Sequence, residues 1–411
     1  MMAFNPFKEQ GVPIEKQIKS WSEINMKPFD KNKVNPYTRV RVILMNGIEV
    51  EAAIFSHQFS RHTYDMHTKQ MLAMTRRAEQ QQQKMINWLN PGSQSILETT
   101  IGYEQVAVDL TSALAKNEPD ENVRQTLDFA LLEDFDHLFR FANFLKLTKD
   151  MKAEKITGRN TEITVGRPTV LEHRHPFDGI RRHYETPSAN PLTCVHALTI
   201  TAAEQQTMNY YMNQGANIKE KLGRGLYQEI AQVEEEHVTL YESLMDPKDS
   251  WYLQMVMHEI TECWLYFSLY MDETDNRIKN FWEENLMMEV EHLKAANELM
   301  KRYEHRDAQE IIPDGLPEPL LQFQPNIEYV REVLNNQVHL TAKESDFVSA
   351  DSLDKNDRYF QYQSLVNANG APSDKVIQEL MREEGKDYRL ELAGENPIPE
   401  YRHRELAGAH R

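Results

Sequence analysis

Apolar residues along this chain recur mainly at intervals of three and four, the period of an amphipathic helix. In YQEIAQVEEEHVTLYESLM (227–245), Ile230, Val233, Leu240, Tyr241 and Leu244, with Leu226 just before, fall on one stripe at about 100° per residue. The same texture predicts helices near 94–116, 121–148, 195–214, 218–245, 251–273 and 276–304, with another near 373–384. Residues 37–55, YTRVRVILMNGIEVEAAIF, alternate instead around Asn46-Gly47, which predicts a β-hairpin. From Glu51 a helical pattern returns and runs to Leu89, where Asn90-Pro91-Gly92 stops it. Residues 149–194 break the texture and read as short strands and loop.

The pattern predicts a mainly α protein, with about seven core helices, built in three parts. Residues 1–50 form an extension carrying the β-hairpin, and 51–305 form a helical domain interrupted by the irregular crossover at 149–194. Residues 306–411 form a Pro-containing tail that wraps the body or reaches a neighbouring subunit.

Composition narrows the classes. Hydrophobic residues make up 40% and charged ones 27%, ordinary for a globular chain of 411 residues. A formal charge of −18 argues against nucleic acid or an anionic membrane as partner. Cys194 and Cys263 are the two cysteines, and no C-x-x-C occurs, which excludes a rubredoxin-type iron site, a zinc ribbon and a disulfide framework. With no run of apolar residues long enough for a signal peptide or a membrane span, a reducing, cytoplasmic setting is expected.

The candidate chemistry lies on the apolar stripes. Glu234 and His237 sit inside the stripe of 227–245, one turn apart, and burying an unpaired carboxylate there costs several kcal/mol (roughly) without a partner or a metal. An acid followed three residues later by His occurs at Asp134/His137, Glu234/His237 and Glu289/His292 in helical segments, and at Glu172/His175 and Glu400/His403 in irregular ones. Thirty residues before each helical acid stands Glu104, Glu204 or Glu259, whereas the irregular pairs have Ala142 and Gly370 there. Acidic residues are 64 of 411, so chance supplies one such partner only about one time in six. Thirty residues is about the separation at which two mid-helix positions of a helical hairpin come level.

Two facing hairpins of this kind supply four carboxylates and two imidazoles, with the Glu of each x-x-His pair able to bridge two cations. Oxygen and nitrogen donors suit two iron or manganese ions, not a structural zinc. Three hairpins compete for the site. Full Glu-plus-Glu-x-x-His sets favour the second and third: Glu204, Glu234, His237, Glu259, Glu289 and His292. The long connector at 149–194 favours the first and second: Glu104, Asp134, His137, Glu204, Glu234 and His237. We take the second and third as the site; Glu204, Glu234 and His237 belong to both.

In GYEQVAVDL with EDFDHLF, AAEQQTMNYY with VEEEHVTLYE, and MHEITECWLYF with MEVEHLKAANEL, the chain resembles the ferritin-like superfamily, closest to its rubrerythrin-like branches. The resemblance covers about residues 95–304 and departs from the family pattern in having three hairpins and in Asp134, where Glu is expected. It implies a four-helix bundle with a di-iron or di-manganese centre that reacts with O2 or peroxide as a peroxidase, ferroxidase or oxygenase. A separate electron donor is then required for multiple-turnover peroxidase chemistry, and a homo-oligomer is expected. The alternative is a helical scaffold or assembly protein that keeps the fold without redox activity. Glu262, one turn after Glu259, is expected at the surface, with a ligand role as its alternative. Cys263, Tyr103, Tyr211 and Tyr241 are expected as core residues, the tyrosines with satisfied hydroxyls.

Overall fold

A computed structural model describes residues 4–390 and 396–398; the Glu400/His403 pair lies outside the described residues. Nine long helices and helical pieces precede the tail: α1 (Pro36–His62), α2 (Met66–Trp88), α3 (Ile96–Asn117), α4 (Glu121–Lys149), the single turn α5 (Glu154–Thr157), α6 (Pro191–Gln214), α7 (Lys221–Glu242), α8 (Trp251–Asp272) and α9 (Asn276–Glu304). Each long helix but α7 starts on a side chain that accepts a backbone N–H of its first turn, as Asn35, Asp65, Ser95, Asp120, Asn190, Ser250 and Asp275 do. At α3 the cap is reciprocal, a capping box of Ser95 and Glu98. No helix among the described residues is long and apolar enough to cross a membrane.

The eight long helices form four antiparallel hairpins, α1–α2, α3–α4, α6–α7 and α8–α9. Hairpins α3–α4 and α6–α7 close into one four-helix bundle, and α1–α2 closes with α8–α9 into a second. The second bundle flanks the first in sequence, so we call them outer and inner. Within the inner bundle the hydroxyl of Tyr210, late in α6, donates to the carbonyl of Ile96 at the start of α3 (3.0 Å), so α6 runs antiparallel to α3. Residues 150–190 therefore travel the length of the bundle. In the outer bundle Arg41 at the start of α1 pairs with Glu273 (3.3 Å) just past α8, while Phe59 near its end stacks on Trp251, so α1 and α8 are also antiparallel. The order of directions is the same in both bundles; the inner bundle occupies the place of the outer one's crossover.

Helices α1, α3, α6 and α8 pack where the bundles meet. This corrects the reading of residues 37–55 as a β-hairpin, and the boundary placed at residue 50 falls inside α1. Every residue of α1 from Tyr37 to Glu49 is buried. A helix enclosed on all sides has no solvent face, so its sequence loses the amphipathic stripe that marks helices. The Arg-Val alternation is local coincidence: Arg39 donates to Ile156 O (2.7 Å) and Arg41 meets Glu273, both inside the protein. Asn46-Gly47 marks a close crossing with α6 rather than a turn. Gln206 donates to Ile43 O (2.9 Å) and accepts from the Asn46 amide, and a Cβ on Gly47 would stand 2.6 Å from Gln206 Nε2. Gly47→Val is expected to lower stability by about 1–3 kcal/mol through overpacking, measured by denaturant unfolding; a wild-type midpoint would contradict this packing. The single helix expected over 51–89 is also interrupted, at residues 63–65, where Asp65 caps α2 through Thr68 N (2.6 Å).

The crossover holds α5 and short 3-10 turns and no strand. After α9 come α10 (Ile327–Gln337), a two-stranded antiparallel sheet of β1 (Leu340–Lys343) and β2 (Asp346–Ser349) with Leu340 opposite Ser349, α11 (Arg358–Val366) and α12 (Pro372–Glu384). Leu321 and Phe323 donate their backbone N–H groups to Ser268 and Asp272 of α8 (3.1 and 3.2 Å), while α10 packs on α4 and α12 on α4 and α7, so the described tail runs along the outer bundle and then wraps the inner one. Ser373 Oγ fixes it by donating to Glu229 on α7 (2.8 Å).

Candidate metal centre

The thirty-residue spacing brings Glu104 of α3, Asp134 and His137 of α4, Glu204 of α6, and Glu234 and His237 of α7 to one depth in the inner bundle, all with no exposed surface. The pairing is thus the first hairpin with the second, correcting the choice of the second with the third. Glu234 lies between the two imidazoles: its Oε1 is 2.9 Å from His137 Nδ1 and its Oε2 is 3.2 Å from His237 Nδ1. Asp134 Oδ1 is 3.2 Å and Glu204 Oε2 3.7 Å from the same His237 nitrogen. Two sets of donor atoms result, Glu104–His137–Glu234 and Asp134–Glu204–Glu234–His237, each within 4.8 Å, with Glu234 in both.

Each imidazole is held from behind through its other nitrogen. His137 Nε2 meets Glu172 Oε2 at 3.2 Å, and His237 Nε2 meets Glu133 Oε2 at 2.9 Å. Glu133 in turn accepts from Arg167 (2.9 Å) and Arg174 (2.6 Å), both fully buried. Such partners fix ring orientation and leave Nδ1 facing the site. Glu172 falls outside the thirty-residue pattern, since Ala142 stands where an acid would be; the crossover carries it back to α4. Glu133 was hidden because its neighbour Asp134 fitted the spacing.

Electrostatics show what this group does without a cation. Burial pushes Glu104 well above the usual carboxylate range, and Glu234 adds to it; burial and Asp134 do the same to Glu204. Burial would raise Glu234 too, but His137 and His237 outweigh it and hold Glu234 low. Both imidazoles are raised well above their usual value because carboxylates overcome the burial penalty. Protons thus stand in for positive charge. A cation bound here would displace them, so binding is expected to release protons and to tighten as pH rises. Calorimetric titration in buffers of different ionisation heat measures both, and proton-neutral, pH-independent binding would contradict this arrangement.

The donor set fits a metal pair. Glu104, Asp134, Glu204 and Glu234 carry four negative charges when ionised, matching two divalent ions. Glu104 Oε2 and Glu204 Oε1 are buried and make no hydrogen bond, a state that natural proteins rarely leave unexplained, while Asp134 Oδ1 and Glu204 Oε2 share the single His237 Nδ1 with Glu234. Tyr211 donates its hydroxyl to Glu104 Oε1, and the buried Tyr241 hydroxyl, under the influence of Asp134 and Glu204, makes no hydrogen bond. Tyr241 therefore departs from the expectation of a satisfied hydroxyl. Tyr103 packs on Tyr210 and contacts Gln206 (3.4 Å), away from the centre.

Glu259, Glu289 and His292 form a separate set in the outer bundle, His292 Nδ1 lying 2.8 Å from Glu289 Oε2. Their hairpin partners are Glu49 of α1 and Glu79 and Gln82 of α2, none of which sequence reasoning proposed. The signal was present: Glu79 follows Glu49 by thirty residues, and Gln82 stands where the other hairpins have His. A spacing that ends on His does not include it, and the alternation of residues 37–55 masks the first of those helices. Glu262 is 2% exposed, which overturns its placement at the surface, and Cys263 is a buried free thiol.

Neither a protein-family model, nor a curated protein, nor a solved structure matches this chain.

Proposed function

We propose that the inner bundle binds two iron or manganese ions and that the protein is a di-metal carboxylate oxidoreductase acting on O2 or peroxide. The observation that carries this reading is Glu234, buried between two imidazoles whose far nitrogens are braced, with unpartnered carboxylate oxygens on both sides. Glu104 and His137 would hold one ion, Asp134, Glu204 and His237 the other, with Glu234 shared. A bound pair of such ions supplies electrons and open coordination positions. The chain supplies the rest. Glu172 and Glu133 keep the imidazoles aimed inward. The Tyr211 hydroxyl keeps a proton at Glu104, a place from which it can move to an oxygen species beside that carboxylate. The surrounding helices exclude bulk water from the six donors.

Support for a ferritin-like bundle comes from the order of helix directions and from the crossover that spans the bundle, an arrangement such folds share. The decisive experiment counts metal in protein from iron- and manganese-supplemented cells, locates it by anomalous scattering at each edge, and follows peroxide and O2 consumption by the reduced protein. Two ions between α3, α4, α6 and α7, with consumption that depends on them, are expected. An inner bundle without metal in a fully folded, inactive protein would leave the scaffold reading.

A further inference from the structure

The outer bundle repeats the inner one's plan with one change. Glu49 stands for Glu104, Glu79 for Asp134, Glu259 for Glu204, Glu289 for Glu234 and His292 for His237, while Gln82 replaces His137. Even the tyrosine is kept: Tyr266 donates to Glu49 as Tyr211 does to Glu104. One half is built like the inner site. His292 Nδ1 faces Glu289 (2.8 Å), Glu79 (3.9 Å) and Glu259 (4.0 Å), and its Nε2 is braced by Gln17 Oε1 at 2.6 Å. Glu79 Oε2 and Glu259 Oε2 are buried and make no hydrogen bond. The other half keeps buried, unpartnered oxygens at Glu49, Gln82 and Glu262 but has no imidazole, and its donors do not converge as Glu259, Glu289 and His292 do. The Gln82 amide nitrogen donates to Glu289 Oε1, and an amide N–H has no lone pair to offer a metal. It satisfies the oxygen of Glu289 that would otherwise face a second ion.

We infer that the outer bundle binds a single divalent transition-metal cation through Glu259, Glu289 and His292, with Glu79 beside them, where the inner bundle takes a pair. Gln17, which braces His292, also donates to Val12 O (2.8 Å) and Met288 O (3.1 Å). The cation thereby ties the N-terminal segment to α9. This inference goes beyond the proposed function and does not need the inner centre to be redox-active.

The test uses the full chain, stripped of metal and titrated with Mn(II). Bound ions are counted by equilibrium dialysis and their coupling read by electron paramagnetic resonance. The expected count is three per chain: a spin-coupled pair plus an isolated ion with a six-line spectrum. His292→Gln is expected to bind two and lose the isolated spectrum, and Gln82→His to bind four, its outer ion now coupled. His237→Gln combined with Glu234→Ala leaves one isolated ion. An isolated ion that survives in His292→Gln, or an outer bundle that already holds two ions in the unaltered chain, overturns the inference. Gln82→His removes no ligand, so it remains informative if His292→Gln folds poorly; an unchanged count of three there also counts against it. Loss of the coupled pair alone would sink the inner-centre reading and leave this one standing.

Discussion

Glu234→Ala is expected to strip the inner bundle of both ions and to take consumption of peroxide or O2 down to background. Glu234 belongs to both donor sets, so its removal takes one ligand from each ion at once. It also cuts the negative charge around the pair from four to three. Changing a residue that merely orients a ligand costs about 10–100-fold in metal affinity, and loss of a shared ligand should exceed that for each ion. Glu234→Gln keeps the shape and one oxygen but not the charge, so it separates charge from cavity formation. If electrostatics dominate, the two variants lose metal alike. The measurement is metal content and turnover on one preparation of each variant. Two ions retained with wild-type turnover in Glu234→Ala would refute the assignment of this centre.

Glu133→Ala should be the most destabilising single change in the inner bundle. Glu133 accepts from Arg167 and Arg174 and also meets His237, every member having no exposed surface. Its removal leaves Arg167 without its carboxylate and Arg174 with only Glu236, at 3.2 Å. Breaking a buried ion pair by deleting one partner costs about 3–5 kcal/mol, since the remaining charge stays desolvated. The contacts of both guanidinium groups with the Phe129 ring, at 5.2 and 5.3 Å, do not replace a carboxylate. Burial alone would raise the Glu133 carboxyl, but Arg174 and then Arg167 hold it well below the usual range. A carboxyl depressed in the folded state stabilises above its unfolded value, and that stabilisation fades as pH falls through the folded value. The deficit of Glu133→Ala relative to wild type should therefore be full near neutrality and shrink only once pH falls below the ordinary carboxylate range. Urea unfolding of metal-free protein at several pH values measures this. A deficit under about 1 kcal/mol at neutral pH would mean the cluster is solvated after all.

How much could be read from sequence differs from helix to helix. In α7 one face meets the bundle and another meets water, so Ile230, Val233 and Leu240 advertise the helix, and Glu234 and His237 stand out as polar residues on the wrong face. In α1 both faces are buried from Tyr37 to Glu49, and there the signal that located α7 is gone. Failing there hid a whole hairpin and with it Glu49, Glu79 and Gln82. Glu262 shows the same effect on a single residue: it lies off the main stripe of α8, yet α8 is covered on more than one side. The braces Glu172, Glu133 and Gln17 carry no spacing rule. They reach the histidines from a crossover, from the residue beside a ligand and from the N-terminal segment.

By itself the sequence determined that the chain is mainly helical, where most helices run, and that an acid and a histidine one turn apart recur thirty residues after a glutamate. Those features are local, fixed by the helical period and by the length of a hairpin arm. Tertiary structure alone decided that the first hairpin pairs with the second, that the third pairs with one hidden as strands, and that one bundle is nested within the other. Which hairpins pair depends on contacts between residues more than a hundred positions apart and on a crossover long enough to span the bundle, and neither is encoded in the period of any one helix.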